Sequence, residues 1–72
     1  MSPRLPVVSG TAAIDALRKA AFEQVSQRGS HVKLRRGDDT VIIPLHRELA
    51  PGTLRSVLRQ AGMAVEDFTK LL

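Results

Sequence analysis

Between Arg28 and Arg36 polar and apolar positions alternate with a period of two, His31, Lys33 and Arg35 on one side and Val32 and Leu34 on the other. That period predicts a β-strand with one face buried and one wet. Before it, Ile14, Leu17 and Ala21 recur at i, i+3 and i+7, the stripe of an amphipathic helix. Ser9 or Thr11 stands where a cap is needed, with Val8 placed for a hydrophobic staple. The helix pattern stops near Ala21. Phe22 to Gln27 then reads as a first strand with Val25 buried. After the central strand, Arg36-Gly37-Asp38-Asp39 has the composition of a turn. Thr40-Val41-Ile42-Ile43 is a strongly β-prone third strand that Pro44 ends. Pro51 to Ala61 predicts a second helix, with Leu54, Val57, Leu58 and Ala61 on one face, Arg55 and Arg59 on the other, and Gly62 as its stop. A short last helix from Val65 to Leu72 buries Val65, Phe68 and Leu71 or Leu72, and Ala64 gives it no good cap.

The order α-β-β-β-α with a terminal helical turn is an α+β architecture: a three-stranded antiparallel meander with helices on its apolar face. Residues 1–8 form a lead-in that Pro3 and Pro6 keep extended. Seventy-two residues make one domain near the lower size limit for folding alone. The chain has no Cys, hence no disulfide, and a reducing compartment suits it. No apolar run approaches a membrane span and no signal peptide is visible, so the expected location is the cytoplasm.

Charge sharpens this picture through its placement. Of the formal net +4, residues 1–37 carry seven cations against two carboxylates, and residues 38–72 carry four against five. The excess surrounds the central strand and points to a polyanionic partner. With two Phe and neither Trp nor Tyr, no aromatic platform for stacked bases is expected, so phosphate and shape contacts should dominate.

Phosphate-binding, dinucleotide and zinc spacings are absent, and two His fifteen residues apart make a poor metal site; neither metal nor cofactor is expected. Asp38-Asp39 and Glu66-Asp67 read as turn and first-turn helix charges. His31, on the face it shares with Lys33 and Arg35, is the candidate base, imidazole being the side chain suited to proton transfer near neutrality. His46, at the end of the third strand, is a subordinate candidate.

Gly29-Ser30-His31, then Ile43-Pro44-Leu45-His46, then the run from Pro51 to Gly62 (PGTLRSVLRQAG) resemble the successive motifs of HicA toxins, the small mRNA interferases of type II toxin–antitoxin systems. The resemblance extends from about Leu5 to Leu72. It implies a double-stranded-RNA-binding-domain-like fold, a catalytic His at His31, and a cognate HicB-type antitoxin. The simplest restraint is occlusion, with the antitoxin covering the His31 face, and the alternative is a grip on the helical side around Arg55 and Arg59. In two places this chain departs from the family pattern. A Gly usual before the aromatic residue is Ala21, and one common after the second His is Arg47.

The residues and the resemblance together suggest that His31 takes the proton of a ribose 2′-OH. Arg28, Gly29, Ser30, Lys33, Arg35 and Arg36 would hold the RNA backbone. His46, reprotonated His31 or water are the open choices for the general acid. The alternative is a non-catalytic RNA-binding module of the same fold, and a third reading, a pure protein-interaction domain, leaves the basic strand unexplained.

Overall fold

The computed structural model describes residues 4–72, so the expectation for Pro3 lies outside the described residues. Its elements are α1 (Gly10–Lys19), β1 (Glu23–Arg28), β2 (His31–Arg36), β3 (Asp39–Pro44), α2 (Pro51–Ala61) and α3 (Val65–Lys70). The strands form one antiparallel sheet in the order β1-β2-β3, and the architecture is α+β, as expected.

Of the two cap candidates, Ser9 caps α1, its hydroxyl accepting from the Ala12 N–H at 3.0 Å. The N–H of Gly10 is satisfied by the His46 carbonyl at 2.9 Å, which ties the helix start to the segment after β3. Gly is required there by close approach, because a Cβ at residue 10 would overlap the Pro44 carbonyl oxygen.

Both long helices end in one hydrogen-bond pattern, the Schellman motif. After α1, Ala21 N–H donates to Arg18 O and Phe22 N–H to Leu17 O; after α2, Gly62 N–H donates to Arg59 O and Met63 N–H to Leu58 O. The motif needs a left-handed residue, which is Gly62 at φ 64° in one case and Ala21 at φ 72° in the other. Ala21 therefore lies past the helix, exposed, rather than on its buried stripe.

The core holds Ile14 and Leu17 of α1, Leu54, Val57 and Leu58 of α2, Val32 and Leu34 of β2, Val41 and Ile43 of β3, and Phe68 of α3. Phe68 is the one fully buried residue of α3; Val65 and Leu71 are half-buried and Leu72 is exposed. Burying such side chains stabilises by roughly 1.5–3 kcal/mol each. Both long helices lie over β3, and β1 contributes nothing to the core. Val25, expected to be buried, is 48% exposed. It is the unpaired residue of a β-bulge between Gln24 and Ser26, on an edge strand that no helix covers.

Candidate functional site

The pairing register lays out the sheet in three rows. Arg28, His31 and Pro44 are in register across the strands, then Ser26, Lys33 and Ile42, then Glu23, Arg35 and Thr40; all but the buried Pro44 are exposed on the face away from the helices. The apolar side chains of Val32 and Leu34 point the other way, so His31, Lys33 and Arg35 are exposed on a face that carries no helix. Arg28 and His31 flank a two-residue hairpin loop, Gly29-Ser30. Gly29 takes φ 58° at the first central position, a conformation that favours Gly and brings the two strand ends together. The turn is fixed at its base: Leu45 N–H donates to Ser30 O at 2.7 Å, and Gln27 Nε2 donates to Gly29 O at 3.0 Å.

Ser26, Gln27, Arg28, His31, Lys33 and Ile42 line a concavity of about 500 Å³. Arg28 and Lys33 are the cations around it. Arg35 lies one row away with Glu23 directly opposite, a cross-strand pair that offsets part of its charge. An anion approaching this face meets the cations Arg28, Lys33 and Arg35.

Arg36 is not part of this group. Its place in the alternation is that of Val32 and Leu34, on the helix side of the sheet. There its guanidinium donates to Ala20 O at 2.9 Å and Ala61 O at 3.4 Å, the carbonyls at the ends of α1 and α2. Arg36, expected among the RNA-binding residues, has its guanidinium engaged in joining two helices to the sheet. His46 is exposed in the segment after β3, two residues beyond Pro44, the cross-strand partner of His31. Its backbone carbonyl is committed to Gly10.

Two residues of the site escape a reading of the sequence. Ile42 falls inside the apolar run Val41-Ile42-Ile43, which hides its outward orientation. Gln60 of α2 reaches the sheet edge, its Oε1 accepting from the Ile42 N–H at 3.0 Å. Among the described residues, no group of three or more His, Cys, Asp or Glu is placed to hold a metal ion.

The molecule is a small α+β protein with helices on one sheet face and a basic, His-bearing surface on the other. A family model described as HicA toxin of bacterial toxin-antitoxin matches residues 10–63, well over half of the chain. The chain belongs to the HicA toxin family, and membership implies a cognate antitoxin as partner. No curated protein matches it. Among the described residues, no helix is long and apolar enough to cross a membrane.

Proposed function

We propose that this protein is an mRNA interferase, an endoribonuclease that cuts the RNA backbone through the ribose 2′-OH. The observation that carries the reading is His31 on an uncovered sheet face, with Arg28 directly opposite and Lys33 in the next row around one concavity. The imidazole of His31 takes the 2′-OH proton, and the 2′-oxygen attacks the adjacent phosphorus. The bond from phosphorus to the 5′-oxygen breaks, leaving a 2′,3′-cyclic phosphate and, once the leaving oxygen is protonated, a 5′-OH. Protonated His31, His46 or water supplies that last proton. Arg28 and Lys33 balance the charge that grows on the phosphoryl oxygens, with Arg35 and the Gly29-Ser30 turn holding the backbone on either side. Because the nucleophile belongs to the RNA itself, the scheme uses no metal-activated water. One general base contributes on the order of 10²–10⁴-fold, so a modest turnover is expected.

The family partner then has a physical task. An HicB-type antitoxin laid over the His31 face would block both the attraction of RNA and the chemistry. The deciding experiment is an RNase assay on the purified protein beside His31→Ala, with end-group analysis of the products. Loss of cleavage in a folded variant and cyclic-phosphate ends support the scheme. Cleavage at the parental rate, or 5′-phosphate ends, would overturn it.

A further inference from the structure

We propose that Ile42 receives the nucleobase beside the scissile phosphate, and so positions the RNA and sets its base preference. This rests on the ribonuclease reading above and adds to it a residue that makes no contact with the reacting atoms.

The concavity around His31 is lined by polar and cationic side chains with one exception, Ile42. A nucleotide has three parts to place. The ribose hydroxyl goes to His31 and the phosphate to Arg28 and Lys33, which leaves a flat and largely apolar base. Both Phe residues are buried, Phe22 at 2% and Phe68 at 0% exposure, and the chain has no Trp or Tyr. The usual aromatic platform is therefore missing from the surface. Ile42, by contrast, is 38% exposed and directly opposite Lys33.

Side chains directly opposite on a sheet face stand about 4.5–5.5 Å apart and diagonal ones roughly 7–8 Å, so Lys33, His31 and Ile42 are within reach of one nucleotide. The Gln60 side chain holds the Ile42 N–H at 3.0 Å and fixes the strand edge at this residue. The apolar surface is thus presented on a braced backbone, and no ordering of a loop is needed on binding.

The test uses the full chain carrying His31→Ala, so that RNA is bound and not cut, with and without Ile42→Ala. The probes are the four homopolymeric oligoribonucleotides and inorganic polyphosphate, a polyanion without bases. Loss of one apolar contact should weaken the tightest-bound homopolymer roughly tenfold, compress the differences among the four, and leave polyphosphate within about twofold. Ile42→Val, which keeps the branched apolar surface, should restore the parental pattern. Equal loss on RNA and polyphosphate, or unchanged RNA affinity, would overturn the assignment. A wild-type protein that leaves RNA intact while the base-dependent loss persists would remove the nuclease reading and leave the Ile42 contact standing.

Discussion

The guanidinium of Arg36 lies over the ring of Phe22, its central carbon 4.4 Å from the ring centroid. Phe22 is the residue that closes the Schellman motif of α1, and the same guanidinium donates to the last carbonyls of both long helices. One cation thus meets two helix C-termini, where the macrodipole and unpaired carbonyls favour positive charge, and stacks on the aromatic residue between helix and sheet.

Arg36→Ala should therefore lower stability by about 2 kcal/mol, since hydrogen bonds from a charged donor are lost and two helix ends are left unpaired. For a domain of this size that is a fall in Tm of roughly 10 °C. Arg36→Lys keeps the charge but cannot span both carbonyls, and should recover about half of the loss. Urea unfolding of the three proteins measures this; equal stability of Arg36→Ala and wild type would show the clamp to be idle.

Lys33→Ala should behave in the opposite way. Its side chain is exposed on the open face, so stability should change by no more than about 0.5 kcal/mol. Binding to RNA should weaken to a similar degree for all sequences, and the slope of log affinity against log salt should become less steep by about 0.7–0.9. Arg36→Ala should leave that slope unchanged. The comparison separates a phosphate contact from a structural cation on opposite faces of one strand.

Ala21→Gly should stabilise the protein. A left-handed conformation costs an L-residue roughly 1–2 kcal/mol, and the greater freedom of Gly in the unfolded chain returns about half of that. A net gain of about 0.5–1 kcal/mol corresponds to a rise in Tm of roughly 3–6 °C. Thermal unfolding of the single variant is sufficient. No change, or a fall, would mean that the surroundings of Ala21 already offset the strain.

If the cognate antitoxin acts by occlusion, amide exchange in the complex should slow across residues 29–36, with His31 losing solvent access. Protection confined to residues 53–62, on the helix bearing Arg55 and Arg59, would point instead to inhibition from the helical side.

The strands and both long helices are legible because a period of two marks β2, Ile14 and Leu17 mark the buried face of α1, and Leu54, Val57, Leu58 and Ala61 mark that of α2. The same period-two rule, carried one residue further, places Arg36 with Val32 and Leu34; the pull of its charge toward the basic group obscured that. Val25 was misplaced for another reason. A bulge and an uncovered edge follow from where the helices end up, and no local pattern in Glu23–Arg28 encodes it. His31, Lys33 and Arg35 are readable as one group from the period of two alone; Arg28 joins His31 from the other side of the Gly29-Ser30 turn, which a single strand over 28–36 does not foresee. Ile42 is not readable in this way, since an apolar run carries no phase.

The close seating of Gly10 on the carbonyl of Pro44 has a genetic consequence. Every codon change that alters residue 10 adds a side chain where backbone already stands, so the first turn of α1 must leave the end of β3. A selection for cells that survive overproduction of this toxin should return residue 10 beside residue 31, although residue 10 touches no RNA in the proposed scheme. The two groups of survivors should part on one measurement: His31 variants should accumulate and still capture the antitoxin, and Gly10 variants should do neither.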